Sequence, residues 1–192
     1  VPNFAAFRPE LKMTASQLLA TMALALAAIA SQAAQAANPN DLARARKSQN
    51  FSECIRCDLS GADFEDRFFQ LAIFIEANLS GAKFDGANMA GTQLTNANLS
   101  KASLRYANLS GAQMQGADLR GADFKGAWLN WAWFEGAKLD GADFTNAHFV
   151  GAQLQGADLS KAKGLTSSQL RTACADSNTR LPTGIERPWC PY

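Results

Sequence analysis

Four kinds of residue in this chain carry side chains that could do chemistry. Cys54-Ile55-Arg56-Cys57 sets two thiols three positions apart. That is the spacing of a redox dithiol, of half a zinc site, or of a short structural disulfide. No second CxxC follows and no thioredoxin-like pattern surrounds it, so the redox and metal readings lack their usual company. Carboxylates recur at Asp58, Asp63, Asp118, Asp123, Asp143 and Asp158. Paired carboxylates do general acid–base work where a cleft perturbs their pKa values. Here they lie multiples of five apart, which ties them to a repeat rather than to one cleft. His148 is the single histidine, which leaves no His pair for a metal and no set of partners for His-based catalysis. Trp128, Trp131 and Trp133 crowd together and offer aromatic surface for stacking or for anchoring a partner. The expectation is therefore no catalytic residue, no metal and no cofactor. Asn-Leu-Ser at Asn78, Asn98 and Asn108 matches the glycosylation pattern, but it follows from the repeat.

These residues sit in a chain of 192, with 18 Lys+Arg, 17 Asp+Glu, a formal charge of +1 and 47% apolar residues. The length suits one domain. The apolar content and small net charge exclude a disordered chain, and there is no basic footprint for nucleic acid. Near the start, Arg8 and Lys12 precede an apolar run of 13 residues, Leu18 to Ala30. A spanning helix needs ~20. Ala34-x-Ala36 then has the small-x-small form of a signal-peptidase site. The expectation is a leader over residues 1–36, cleaved before Ala37 on the general secretory route, with an uncleaved anchor as the alternative. No membrane span is expected in the mature chain. The compartment is the periplasm or the outside, or the thylakoid lumen where the source is a cyanobacterium. Disulfides persist in such places.

The element that must position everything is a five-residue repeat. From Leu59 to Leu159, every residue whose number ends in 4 or 9 is Leu, Phe or Met. Two residues earlier stands Ala, except at Cys57, Arg67 and Thr92; two residues later stands mostly Gly, with Asn96 and Asn146. A helical stripe needs spacings of three and four, and a half-buried strand needs alternation along its length. Neither fits. Each pentapeptide reads as a short extended side with two inward side chains, followed by a corner. Gly or Asn supplies the positive φ of a type II turn there. Stepping by twenty collects Leu59, Leu79, Leu99, Leu119, Leu139 and Leu159 in one column, and Phe64, Phe84, Leu104, Phe124 and Phe144 in the next. Four sides therefore make one coil.

Ala77-Asn78-Leu79-Ser80-Gly81, Ala107-Asn108-Leu109-Ser110-Gly111 and Ala117-Asp118-Leu119-Arg120-Gly121 carry the motif most plainly. With them the chain resembles the pentapeptide-repeat family, in an exported or periplasmic form. The resemblance implies an all-β fold, a right-handed quadrilateral parallel β-helix. At ~4.8 Å per coil, about five coils make a rod of about 25 Å. The organisation that follows is a leader over 1–36, an N-terminal cap over 37–56, the β-helix over 57–163, and a C-terminal helix and tail over 164–192. Family members that protect DNA gyrase present an acidic, DNA-like rod. Residues 57–163 carry 12 acidic and nine basic groups, net −3. That is a weak field, and export would separate the chain from gyrase, so a gyrase-binding DNA mimic is a disfavoured alternative.

A solenoid leaves open sheet edges at both ends. Asn40 to Lys47 reads as a short helix with Asn40 as its cap and Asp41 in the first turn. Thr166-Ser167-Ser168-Gln169 fits a capping box, with a helix running on to around Ala175 and Leu170 turned to the last coil. Cys54 and Cys57 occupy inward slots on either side of one corner. The ends of a β-turn lie under ~7 Å apart, close enough for a disulfide. Bridging Cys174 to Cys190 would pin the tail, at ~3 kcal/mol on the chain-entropy account. Structural disulfides are expected at both pairs. Arg67 falls on an inward slot, where an unpaired charge is costly. It predicts a bulge or register break over Asp66 to Phe69, or a salt bridge to Asp66 or Glu65.

Trp128, Trp131 and Trp133 take outward slots that the repeat gives to polar residues. Sixty residues earlier the same columns hold Phe68, Leu71 and Ile73, with Ile75 beside them. Sides three and four thus carry two apolar patches ~14 Å apart. Exposed apolar clusters of this kind mark interaction sites. Two readings compete with that one: the N-terminal segment folded over Phe68 to Ile75, and the tail wrapped back onto the tryptophans. The function expected is a non-enzymatic binding or scaffold module whose partner is an unknown protein or a cell-envelope polymer. Homodimers, side-on or end-to-end, remain open. An envelope polysaccharide-binding or -cleaving β-helix is the other alternative, although no insertion forms a cleft.

Overall fold

The computed structural model describes residues 37–47, 53–188 and 190. The expected leader over 1–36 lies outside the described residues. Parallel bridges join each side to the residue twenty positions on. Side one runs Asp58, Asn78, Asn98, Asp118, Lys138, Asp158, and side two Asp63, Lys83, Ser103, Asp123, Asp143, Lys163. The fold is a β-helix solenoid. Its ladder is regular: the Leu59 N–H donates to the Asn78 carbonyl at 2.8 Å, Gly61 to Ser80 at 2.8 Å, and Asn78 back to Cys57 at 2.8 Å. A corner bond from the Ala62 N–H to the Leu59 carbonyl closes each turn. The main chain is thereby satisfied along the tube without long strands.

The interior is a stack of like on like. Leu79, Leu99 and Leu119 are wholly buried, as are Ala77, Ala97 and Ala117 beside them. On side two, Phe64 stacks on Phe84 with centroids 5.3 Å apart, and Phe124 on Phe144 at 5.0 Å. Alanine two residues before each centre keeps the bore narrow, since a second large side chain would overpack it. Thr92 is the buried exception; its hydroxyl donates to the Met89 carbonyl at 2.9 Å. Cys54 and Cys57 are buried and joined across their corner, and Cys174 is joined to Cys190.

Three local expectations need correction. Arg67 causes no break, because Phe68 pairs with Asn88 in register and the Asn88 N–H donates to the Arg67 carbonyl at 2.8 Å. The side chain is exposed, and no described ion pair joins it to Asp66 or Glu65; Glu65 pairs with Lys83 instead. Phe68 has no described bridge on its N-terminal side, so the inward slot at Arg67 opens on the rim of the tube and the charge stays in water. The helix α1 (Pro39–Lys47) starts before Asn40. Asn38 accepts the Asn40 N–H at 2.9 Å, and Pro39 takes the first helical position, where a missing N–H costs nothing. Ala45 and Leu42 pack on the core, and Asp41 accepts the Asp58 N–H at 3.1 Å.

The helix α2 (Ser167–Leu170) has the expected capping box and buries Leu170, but it stops there and does not reach Ala175. Past Leu170 the chain returns to bridging. Cys174 pairs with Gln153 and Arg180 with Asp158. Covering the open edge, with the Cys174 N–H on the Ala152 carbonyl at 2.8 Å, outweighs further helix.

Candidate interaction face

The repeat explains most polar residues before it explains any function. In the slot before each centre, Asp or Asn accepts the N–H two residues on: Asp118 from Arg120 at 3.2 Å, Asp143 from Thr145 at 3.0 Å, Asn108 from Ser110 at 3.1 Å. Asp58, Asp63, Asp123 and Asp158 do the same. The recurrent carboxylates are turn acceptors. The Arg120 guanidinium beside Asp118 holds its carboxyl below the usual range, as Arg56 does for Glu76. A concavity of about 750 Å³ lies at the C-terminal end, lined by Asp158, Arg180 and Arg187 among others. Its carboxylate is held by Ser160 and Arg180. Among the described residues no group of three His, Cys, Asp or Glu could hold a metal, and no helix is long and apolar enough to cross a membrane.

Most of what the repeat does not explain lies on sides three and four; Tyr106, exposed at a left-handed corner, is the exception on side two. Phe68, Asn88, Asn108, Trp128 and His148 are bridged in one column; Ile73, Gln93, Gln113, Trp133 and Gln153 in another. Trp128, Trp131 and Trp133 are 54%, 60% and 45% exposed, so the described tail does not cover them. Phe68 and Leu71 are 66% and 74% exposed, so no described residue covers that patch either. Ile73 and Ile75 are half-buried and contribute less.

Two of these residues occupy corners. Leu71 and Trp131 share one column, and both have φ of 60°. A left-handed backbone costs a side chain roughly 1–2 kcal/mol that glycine avoids, and Gly91, Gly111 and Gly151 hold the same column elsewhere. The Trp131 ring lies over Gly151: a Cβ there would fall 2.7 Å from Cδ2 and closer still to Cε3 and Cζ3. Leu71 lies over Gly91 in the same way, at 2.8 Å.

The structure draws in His148, read from the sequence only as a lone surface histidine, and Val150, which that reading passed over. The His148 ring lies 5.7 Å from the Trp128 ring, tilted, and is exposed. Val150 is exposed one coil below Asn130, whose side chain accepts its N–H at 3.0 Å. The available signal for Val150 was an apolar residue at an outward slot one coil from Asn130. Charge is partitioned as well. Sides three and four of the repeat carry only Arg67, Glu76 and Glu135. Sides one and two carry the pairs Arg105–Asp123 at 2.7 Å, Lys125–Asp143 at 3.1 Å and Arg120–Asp118 at 2.6 Å.

Pentapeptide repeats, in eight copies, match residues 52–91, 87–126 and 127–163. The chain belongs to the pentapeptide repeat family. It is similar to a pentapeptide repeat protein of the Arabidopsis thaliana thylakoid lumen, at 31% identity, covering 54% of this chain and 71% of that one, with a TM-score of 0.47. It is also similar to a pentapeptide repeat protein of the cyanobacterium Cyanothece, at 25% identity over 74% and 97% of the two chains, TM-score 0.44. A third similarity is to QnrB1, a plasmid-mediated fluoroquinolone resistance protein, at 21% identity over 72% and 86%, TM-score 0.45. No curated protein is significantly similar. The family motif accounts for the Ala, centre and Asp/Asn slots of this pentapeptide repeat protein. It leaves Trp128, Trp131, Trp133, Phe68 and Leu71 without an explanation in the fold.

Proposed function

We propose that this pentapeptide repeat protein is an exported, non-enzymatic binding or scaffold module. It is a right-handed, four-sided tube of about five coils with a short helical cap at each end, and it engages a protein or an envelope polymer through Trp128, Trp131 and Trp133. The observation that carries the reading is Trp131. A large apolar side chain stands 60% exposed on a left-handed corner that the repeat gives more cheaply to glycine. Eight other described non-glycine residues stand at left-handed corners, most of them polar or charged; what sets Trp131 apart is its exposed indole, and tryptophan is the residue most enriched among binding hot spots. Export is supported by the leader-like start of the sequence and by four cysteines joined in two disulfides.

The test is a photo-reactive phenylalanine analogue at position 131 in the full-length protein, irradiated in the cell envelope. Covalent adducts are expected from position 131 and not from Lys138 on side one. Replacing Trp128 and Trp133 by Ala should remove the adducts and leave the melting temperature of the tube unchanged. Equal labelling from both sides, or none from either, overturns the reading.

A further inference from the structure

We propose that side three pairs with side three of a second copy of this chain, with the two tubes antiparallel. The inference rests on the reading of this surface as a contact site and names its partner. Side three from Phe68 to Gly151 bears no charged residue. Self-pairing therefore meets no like-charge repulsion, which a face of one sign would suffer.

Its two apolar patches lie three coils apart in the same columns, with Asn88, Ala90, Gly91, Asn108, Ser110 and Gly111 between them. A two-fold axis across the tube, passing between Asn88 and Asn108, exchanges the patches. Phe68 then meets Trp128 of the second copy, Leu71 meets Trp131, and Asn88 meets Asn108. The same holds in reverse, as an isologous interface requires.

Parallel pairing about an axis along the tube fails on the same columns. It reverses the side from corner to corner and sets Leu71 against Asp66 and Arg67, a charged pair pressed on an apolar side chain. The antiparallel form also gives Arg67 a role. Exposed and outside every described ion pair, it lies against Trp128 of the second copy, where a guanidinium over an indole is favourable. The paired stretch of the column, from Phe68 to Trp128, spans three coil steps, about 14 Å. That puts the interface at the small end of specific complexes, and a dissociation constant in the micromolar range is the expected strength.

Sedimentation velocity of the mature protein should show a monomer–dimer equilibrium across micromolar concentrations. Trp128→Ala with Trp131→Ala should weaken it by about thirtyfold without moving the thermal midpoint. Register is read by cross-linking, since both native cysteine pairs are disulfides and only an engineered thiol reacts. Sheet faces pack about 10 Å apart, within the span of a short bis-maleimide. Mixed Gln70→Cys and Asn130→Cys chains should join to each other and not to themselves. Like-with-like products, or a monomer at every concentration, overturn the proposal. If the protein is monomeric while position 131 labels a different protein, the contact surface stands and only the second copy is wrong. If it is monomeric and position 131 labels nothing, both fall.

Discussion

At five corners a left-handed side chain lies over the glycine twenty positions later. Asp66 covers Gly86, Leu71 covers Gly91, Asn96 covers Gly116, Tyr106 covers Gly126 and Trp131 covers Gly151. In each case a Cβ on the glycine would collide with the side chain above. At these five corners the side chain above leaves no room for a Cβ, whereas Arg56, Glu76 and Asn96 follow one another in a single column. Gly151→Ala should therefore cost more than the backbone penalty. Gly136 has the same φ within a few degrees and nothing near its missing Cβ, so Gly136→Ala should cost only that penalty, about 1 kcal/mol. Gly151→Ala should cost about 2–3 kcal/mol in urea denaturation. In a Trp131→Ala background its cost should fall to that of Gly136→Ala. The inward and outward slots were legible from sequence at this scale because period five fixes them. The fate of Arg67 was not, because an inward slot on the rim differs from one in mid-tube only through what lies beside it.

The ends obey different rules from the middle. Residues 172–180 return to the ladder with spacings of 21 and 22 instead of 20, so no periodicity announces them. Asp176 makes that return. The Gly156 N–H donates to its carboxylate at 2.9 Å, with the Thr179 hydroxyl and the Thr179 and Asn178 N–H groups adding to it. The Gly156 bond foremost, these donors hold its pKa below the ordinary 3.8. A carboxyl whose folded pKa is depressed stabilises the fold when ionised. The contribution is present above the ordinary value and is lost as pH falls through the depressed one. Hydrogen exchange should show the Leu154, Gly156 and Leu159 amides losing protection below about pH 4, while Leu99 and Leu119 keep theirs. Asp176→Asn, which cannot ionise, should remove that pH dependence at Gly156, while Asp158, held down by Ser160 and Arg180, keeps its share at Leu159. The Cys174–Cys190 bridge acts on the same segment from the other side. Cys190→Ser should speed tryptic cleavage after Arg180 and leave the rungs before Gln153 protected. Unchanged cleavage would mean the tail is held by the ladder alone.

At the scale of the molecule, the tube turns sequence distance into direction. Twenty residues advance one coil and return to the same side; ten advance half a coil and end on the opposite side. The two apolar patches share a face only because sixty is a multiple of twenty. Removing residues 91–110 joins Ala90 to Gly111, copies the Ser110–Gly111 junction in kind, and keeps every side in register. The tube should still unfold cooperatively, at a lower midpoint because one set of inter-coil contacts is gone. Both patches stay on side three, about 10 Å apart instead of about 14 Å. Self-association should survive, because a two-fold axis midway between the patches still exchanges them. Removing only residues 101–110 joins Ser100 to Gly111 and also keeps the five-residue phase, so the tube should again form. It carries Trp128 and Trp131 to the side opposite Phe68 and Leu71. No single face then holds both patches, and the dimer should be lost although every apolar residue of the interface remains. Circular dichroism melts and sedimentation of the two deletions separate folding from pairing. Equal self-association by both would mean that the patches act singly and that their shared face is incidental.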